Sequence, residues 1–468
     1  MSGVVMRERD VDVAVIGAGT AGLAAHRAAT AAGARAVLIE RGPGGTTCAR
    51  VGCMPSKLLI AAGAAAHAAR STDLFGIRVA GVTVDGPAVL KRLRAERDRF
   101  VASVFEGFDA LPDDTRIAGK ARFIDARTLI VRDQAKIRFR AAVIATGSSP
   151  VVPDPLQGLG ERLLTTDTLF EIPDLPDSLA ILGAGAVGIE IAQAMARLGV
   201  AVTVIAARDT VAGLSEPDLN RQAIEIFGAE FELHLGARIQ EAVPDGDGVR
   251  VAWTDRAGQP QVTRATRILA ASGRSPNLAD LDLAAAGLRV GESGAPDFDR
   301  RSLVCSGAPI LIAGDADAWR PVLHEASRQG AIAGTNAAAL AAGRAVEAPA
   351  PLPSFALVFT HPQVAVVGAP HDSEAQDRVV GGMDFSGQGR ARVEGLNRGG
   401  IRLWADRNGQ LLGGEMLAPA AEHLAHLLIY VLAEGRTVRS LCENPAYHPT
   451  VEEGLMSALS ELKQKIYA

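Results

Sequence analysis

Aromatic side chains and cysteines are both scarce in this sequence: 4% of residues are Phe, Tyr or Trp, and 4 of 468 are Cys. So few aromatics exclude stacking platforms for unpaired bases. Four cysteines in a chain this long exclude a secreted disulfide framework, and a chain of this size buries about three quarters of its unfolded surface without covalent staples. No charge of one sign dominates. A net charge of −5 and a sequence pI near 6.0 exclude a nucleic-acid partner held through its phosphates. Long apolar runs are missing too, because the Ala-rich stretches are broken by Gly, Arg or His before they reach bilayer-spanning length. The first apolar run, Val11–Ile16, is too short for a signal-peptide core and follows Arg7, Glu8, Arg9 and Asp10. With 48% hydrophobic residues, disorder is excluded as well. These absences leave a multidomain α/β protein of about three folding units, expected in the cytoplasm with no membrane and no nucleic acid as partner.

Glycine, by contrast, is abundant at 50 residues, and two glycine patterns recur in the same context. Val11–Ile16 reads as a buried strand, followed by Gly17-Ala-Gly19-Thr-Ala-Gly22, an Ala-rich helix and a second strand, Ala36–Glu40. Leu179–Leu182 reads the same way, followed by Gly183-Ala-Gly185-Ala-Val-Gly188, a helix through Leu198 and the strand Ala201–Ile205. In such a unit the glycines permit a tight turn, close approach of a pyrophosphate and packing of helix on sheet. The helix N-terminus then offers free N–H groups to the phosphates. Glu40 ends the second strand of the first unit, where an acidic group binds a ribose hydroxyl pair. The matching position of the second unit is Ala206, and Arg208 follows it. A carboxylate there would repel a 2′-phosphate and an Arg would attract it. The reading therefore leans toward NADP over NAD, with a merely solvated Arg208 left open.

Proline-rich breaks at Asp154–Pro155, Pro173–Pro176 and Pro349–Pro353 mark crossings between units. The expected organisation is a discontinuous first dinucleotide domain, 1–150 and 277–348, a second over 151–276, and a C-terminal α+β unit over 349–468. One predicted strand runs into Ile144-Ala-Thr146-Gly147, another, Ile268–Ala271, into Ser272-Gly273-Arg-Ser-Pro276-Asn277, and a third spans Ile310–Asp315 with Gly314-Asp315 at its end. Asp315 also suits a helix N-cap. Pro87–Leu111 reads as a helix with Leu90, Leu93, Phe100, Val104 and Phe108 along one face and a solvated charge run from Lys91 to Arg99.

Cys48-Ala-Arg-Val-Gly-Cys53 follows the first glycine pattern. Five residues of regular helix rise about 7.5 Å and end on different faces, whereas bridged cysteines need Cα atoms within about 6.8 Å. A bridge thus requires a distorted turn, which Gly52 and Pro55 permit, and distorted bridges are the labile ones. Half a metal site and two unrelated buried thiols remain alternatives. Cys305 and Cys442 sit alone, without ligand spacing, so no metal centre is expected.

The stretch Gly45-Thr-Thr-Cys48-Ala-Arg-Val-Gly-Cys53-Met-Pro-Ser-Lys57, with Tyr447-His448-Pro449-Thr450-Val-Glu-Glu453 near the C-terminus, resembles the flavin-dependent pyridine nucleotide-disulfide oxidoreductases. Within them it resembles most the dihydrolipoamide dehydrogenases, over nearly the whole chain. The resemblance implies a glutathione reductase-like fold: two Rossmann-like domains and a C-terminal dimerisation domain. It implies Cys53 as the charge-transfer thiol facing the flavin and Cys48 as the interchange thiol. Lys57 would lie near the flavin N5, paired with Glu190. His448 would be the general acid–base, oriented by Glu453 and supplied across a homodimer. Gly17, Gly19, Gly22, Glu40, Thr146, Gly147, Gly314 and Asp315 would hold FAD. Gly183, Gly185, Gly188, Arg208 and Gly273 would hold the nicotinamide dinucleotide.

The physical chemistry of these groups is compatible with those roles, since a thiolate attacks sulfur and imidazole titrates near working pH. Thr46 stands where the family usually has Gly, and Arg50 where Asn is common. Arg50 has three open readings: a partner for a thiolate, a contact for an anionic substrate, or a solvated side chain. His324 and His361 read as structural. The expected enzyme is a FAD-dependent dithiol–disulfide oxidoreductase, foremost a dihydrolipoyl dehydrogenase. The alternative is an NADPH-dependent reductase of a glutathione-, mycothiol- or ergothioneine-type disulfide. Mercuric reductase is disfavoured because residues Leu462–Ala468 carry no cysteine pair. A non-catalytic scaffold in a multienzyme complex is the remaining, weaker reading.

Overall fold

The computed structural model describes residues 7–132, 134–291, 294–375 and 377–468. The described residues form two compact units, one drawn from residues 7–55, 95–151 and 274–351, the other from 56–94, 152–273 and 352–468.

The first unit is built on a seven-stranded sheet. Its order is Arg116–Ala118, Ala36–Glu40, Arg7–Ile16, Ala135–Ile144, Thr128–Val131 and Ala121–Asp125, with Ile310–Ile312 also pairing to Ala135–Ile144. The pairs of Arg7–Ile16 with Ala36–Glu40 and with Ala135–Ile144 are parallel. Their apolar residues are continuous because both faces are covered. Val13, Val15 and Leu38 pack on one face with Ala25 and Ala29, while Ala14, Ile16, Val37 and Ile39 pack on the other with Ile312. On the edge away from Arg7–Ile16, Ala135–Ile144 serves two partners in turn: Thr128–Val131 antiparallel at its start, and Ile310–Ile312 parallel at its end. The helices Thr20–Ala31 and Leu323–Ala341 press together through small residues. A Cβ on Gly330 or Gly334 would lie 2.2 Å from the Ala21 carbonyl oxygen or 2.1 Å from that of Ala25. Two short strands, Ser148–Pro150 and Arg274–Pro276, pair antiparallel. The strand expected over Ile310–Asp315 stops at Ile312. Gly314, at φ +69°, turns the chain into a short 3₁₀ helix, Gly314–Asp317.

The second unit contains a parallel sheet in the order Glu232–Leu235, Ala201–Ala206, Ser178–Leu182, Arg267–Ala270 and Leu163–Leu164. An antiparallel three-stranded sheet, Arg238–Asp245, Gly248–Thr254 and Pro260–Ala265, belongs to the same unit. So does an antiparallel five-stranded sheet in the order Phe355–Val358, Gln363–Gly368, Leu411–Ala418, Gly400–Asp406 and Arg378–Asp384. The helices Ala421–Ala433 and Glu452–Tyr467 share that last sheet's core through Leu424, Leu428, Leu455 and Leu459. The expected helix over Pro87–Leu111 spans Gly86–Asp109. Leu59 and Leu93 are fully buried in the core that also holds Ile189, Met195 and Phe227. No helix among the described residues is long and apolar enough to cross a membrane.

Candidate active site and dinucleotide sites

The two cysteines sit on successive helices. Cys48 lies in Thr47–Val51 and is half-buried; Cys53 opens the 18-residue helix Cys53–Arg70 and is exposed. Gly52 separates the helices at φ −119° and ψ −116°, outside both the helical and the extended regions, a break of the kind that a bridge at this spacing would need. A Cβ there would lie 2.9 Å from the Thr47 carbonyl oxygen. At the first position of a long helix, the aligned peptide dipoles favour negative charge. The preceding loop is specified just as closely: Gly42, Gly44, Gly45 and Thr46 all have positive φ. Thr46, at φ 56° and ψ 148°, is in a region that side chains seldom occupy. Its hydroxyl caps the helix by accepting from the Ala49 N–H at 3.2 Å. Arg50 turns back on this loop, donating to the carbonyls of Pro43 and Gly44 at 3.4 and 3.5 Å.

Lys57 follows one helical turn after Cys53. Its ammonium lies 3.0 and 2.8 Å from the two carboxylate oxygens of Glu190, a buried residue of the helix Ala186–Arg197. Phe359 completes this arrangement. Its N–H donates to Glu190 Oε1 at 2.8 Å, and its ring lies 4.4 Å from the Lys57 nitrogen. The sequence reading omitted Phe359; a backbone donor 169 positions from its acceptor leaves no local signal.

His448 Nδ1 is 2.9 Å from Glu453 Oε1. Glu453 Oε2 accepts from the Thr450 N–H at 3.1 Å. The hydrogen bonds from His448 and Thr450 hold the Glu453 carboxyl below the usual carboxylate range. The imidazole itself is 80% exposed.

Around the first glycine pattern, Gly17 holds φ +105°, and a Cβ on Gly22 would lie 1.7 Å from the Gly17 carbonyl oxygen. Gly19 differs: a Cβ there meets nothing within 4 Å, and as N-cap of Thr20–Ala31 it offers no side-chain cap. Glu40 accepts from the N–H groups of Ala18 at 2.7 Å and Gly42 at 2.9 Å. The Thr146 hydroxyl is buried with no protein partner, while its carbonyl accepts from Asn277 Nδ2 at 3.1 Å. Gly147 has φ +68°, and its carbonyl accepts from the Asn277 N–H at 2.9 Å. Asp315 is not an N-cap; it accepts from the Ser148 hydroxyl at 2.7 Å, and that oxygen accepts from Arg274 Nε at 2.8 Å. An uncapped helix end, an open glycine and an unpartnered buried hydroxyl fit a dinucleotide whose pyrophosphate meets the helix. Gln329, also absent from the sequence reading, binds the Gly314 N–H through Oε1 at 2.7 Å, and its amide nitrogen is likewise buried without a partner.

The second glycine pattern repeats the geometry. Gly183 has φ +114°, a Cβ on Gly188 would lie 1.9 Å from the Gly183 carbonyl oxygen, and Gly185 is open. The helix Ala186–Arg197 also lacks a side-chain cap. Gly273, at φ +123°, has open space around it. Ala206 is buried at the strand end, and Arg208 is exposed. Among the described residues no cluster of three or more His, Cys, Asp or Glu could hold a metal ion. Cys305 is buried in the first unit, and burial pushes its thiol up to about 12. His361 is tied by its backbone to Gln193, and burial foremost holds its imidazole below the usual histidine range.

A family profile described as "Pyridine nucleotide-disulphide oxidoreductase" matches residues 11–330, and its "dimerisation domain" counterpart matches 354–459. A mercuric reductase from Streptomyces lividans is 34% identical over 96% of this chain and 95% of its own length. A dihydrolipoyl dehydrogenase from Haloferax volcanii is 30% identical over 96% and 95%. The crystal structure of LpdA from Mycobacterium tuberculosis superposes with a TM-score of 0.81 at 26% identity, covering 97% of this chain and 100% of that one. Mercuric reductases, disfavoured on the sequence, and dihydrolipoyl dehydrogenases thus match at similar identity, so similarity alone does not choose the substrate.

Proposed function

Because the chain belongs to the pyridine nucleotide-disulphide oxidoreductases, we propose that it catalyses dithiol–disulfide exchange at the expense of a nicotinamide dinucleotide. The balanced reaction is NAD(P)H + H⁺ + RSSR → NAD(P)⁺ + 2 RSH, or its reverse. We assign residues 1–150 and 277–348 to FAD, 151–276 to the nicotinamide dinucleotide, and 349–468 to a homodimer interface. Bound FAD supplies the two-electron link between nicotinamide and cysteines. Gly17, Gly19, Gly22, Glu40, Thr146, Gly147, Gly314 and Asp315 would hold FAD; Gly183, Gly185, Gly188, Arg208 and Gly273 would hold its electron donor. Lys57, held by Glu190, would stand one turn into the helix that Cys53 opens.

In the reductive direction the Cys48 thiolate attacks one substrate sulfur, forming a mixed disulfide as the substrate S–S bond breaks. The departing thiolate takes a proton from His448 Nε2, since Nδ1 is engaged by Glu453. Cys53 then gives up its thiol proton and attacks the Cys48 sulfur; the second substrate sulfur leaves, takes up that proton as a thiol, and the Cys48–Cys53 bridge closes. An imidazole with four fifths of its surface exposed suits a site completed by a second subunit.

The observation that carries this reading is the His448–Glu453 pair. Disulfide exchange leaves a thiolate that needs a proton, and an imidazole oriented by a carboxylate is placed to supply one. Oxidised lipoamide is the first substrate we assign. The second reading, an NADPH-dependent reductase of another low-molecular-weight disulfide, is favoured by Ala206 and Arg208. The test is the initial rate of NADH and NADPH oxidation with oxidised lipoamide, with Cys48→Ser as blank. Turnover lost in the variant supports the lipoamide reading. Reduction of the flavin without lipoamide turnover rejects it and turns attention to other disulfides.

A further inference from the structure

The strand Ala201–Ala206 ends at a backbone that is tightly folded over. The Ala237 N–H donates to the Ala206 carbonyl at 2.9 Å, and the Gly236 N–H to that of Arg208 at 3.4 Å. Gly236 has φ +66°, and a Cβ on it would lie 2.7 Å from Asp209 Oδ1 and 3.2 and 3.3 Å from Cγ and Cβ of Arg256. A bare glycine is therefore what allows the Arg256 side chain to lie beside this strand end. Arg256 comes from the turn between the strands Gly248–Thr254 and Pro260–Ala265. That turn is fixed by Asp255, whose Oδ1 accepts from the N–H groups of Ala257 at 2.9 Å and Gln259 at 2.8 Å. The guanidinium Nη2 reaches Asp209 Oδ2 at 3.3 Å, with 77% and 53% of the two side chains exposed. Arg208 is exposed next to them.

We propose that Arg256 is a specificity-determining residue. Together with Arg208 it forms a two-guanidinium clamp for the 2′-phosphate of a nicotinamide dinucleotide phosphate, and Asp209 holds it at the strand end until the phosphate arrives. This inference rests on the NADPH reading above and adds a residue 48 positions further along the chain. Three features carry it. The strand end lacks the carboxylate that would bind a ribose 2′-hydroxyl and repel a phosphate. The acid beside it, Asp209, is paired with Arg256. An exposed ion pair is weak, so exchanging one carboxylate for a dianionic phosphate, with its bidentate charge-assisted bonds to guanidinium, is favourable.

The test is isothermal titration of the FAD-loaded protein with 2′,5′-ADP and with 5′-AMP at low ionic strength, without turnover. The wild type is expected to bind 2′,5′-ADP more tightly. Arg256→Ala should weaken 2′,5′-ADP by about tenfold, the loss of one charge-assisted contact, and leave 5′-AMP unchanged. Arg256→Lys should fall between them. Asp209→Asn frees Arg256 and removes a repelling charge, so it should bind 2′,5′-ADP at least as tightly as wild type. If Arg256 only shaped the turn through Asp209, Asp209→Asn would reproduce the loss, and the proposal would be overturned. If Arg208→Ala abolished discrimination while Arg256→Ala kept it, the NADPH reading would stand and the clamp would not. A wild type that binds both probes equally would remove the NADPH reading and the clamp with it.

Discussion

Lys57 and Glu190 are 133 residues apart in the sequence, yet the ammonium of one lies 2.8 and 3.0 Å from the carboxylate oxygens of the other. Glu190 is buried and Lys57 about one third exposed. Removing the cation therefore strands a buried carboxylate that still accepts from the backbone N–H of Phe359. Lys57→Ala should destabilise the protein by roughly 2 kcal/mol, less than a fully buried pair because solvent reaches the ammonium. Lys57→Ala combined with Glu190→Gln should recover part of that loss. Urea unfolding of the two single variants and the double variant measures the coupling, and strictly additive losses would count against an energetically linked pair.

The glycines of the first pattern separate folding from cofactor retention. A Cβ on Gly22 collides with the Gly17 carbonyl, and one on Gly17 would lie 2.3 Å from the Ala145 carbonyl oxygen, whereas one on Gly19 meets no protein atom within 4 Å. Gly19→Ala should therefore keep near-native far-UV circular dichroism and melting of the flavin-free protein, yet lower its flavin content. Gly22→Ala should impair both. Absorbance at the flavin band against protein concentration reads the difference.

The His448–Glu453 pair gives a third test. His448→Ala should reduce disulfide turnover about 10²-fold or more, the usual share of a general acid–base. Glu453→Gln keeps a hydrogen-bond acceptor but loses the charge, so the loss should be smaller, roughly tenfold. Both variants should still take electrons from the nicotinamide in single-turnover mixing, because neither residue takes part in that half-reaction. Slow flavin reduction in either variant would argue against that division of labour.

Asp317 is 3% exposed, and one carboxylate oxygen is buried without a partner. Burial, reinforced by the charges of Asp315 and Glu325, pushes its carboxyl up to about 6, against 3.8 in an unfolded chain, despite N–H donors at Trp319 and Arg320. The folded state then binds more protons between these two values, so this group's contribution is fully present below the unfolded value. It is lost as pH rises through about 6. Asp317→Asn should stabilise the protein by about 2 kcal/mol near pH 8, with the gain vanishing toward pH 4. Chemical denaturation at several pH values gives the slope, and a gain independent of pH would reject the assignment.

What could be read in the sequence was what repeats or clusters locally. Both glycine patterns announced strand, turn and helix because Gly17 and Gly183 take positive φ, and Gly22 and Gly188 each answer a carbonyl five residues earlier. The Cys48–Cys53 spacing announced a broken helix for the same reason. For Asp315, read as a flavin contact with a cap as the alternative, sequence could not supply its partner Ser148, 167 positions earlier. Phe359, Gln329 and Arg256 went unnoticed for a related cause: each meets its partner through folding of distant segments, and a backbone N–H or an exposed Arg carries no signature. Thr46 illustrates a further limit. Sequence marked it as a departure from glycine, yet only the backbone reveals that it keeps glycine's positive φ and uses its hydroxyl to cap the cysteine helix.

The parallel pairing of Ile310–Ile312 with Ala135–Ile144 has a consequence for biosynthesis. A ribosome adding about 5–20 residues per second needs on the order of 8–30 s to travel from the end of the earlier strand to the later one. During that interval the C-terminal half of Ala135–Ile144 offers an open edge on its Ile310–Ile312 side, and the segment that will close it does not yet exist. The intervening stretch holds the parallel sheet around the second glycine pattern, which can assemble while the first waits. Nascent chains released near residue 300 should therefore bind chaperones more strongly than those released beyond 350.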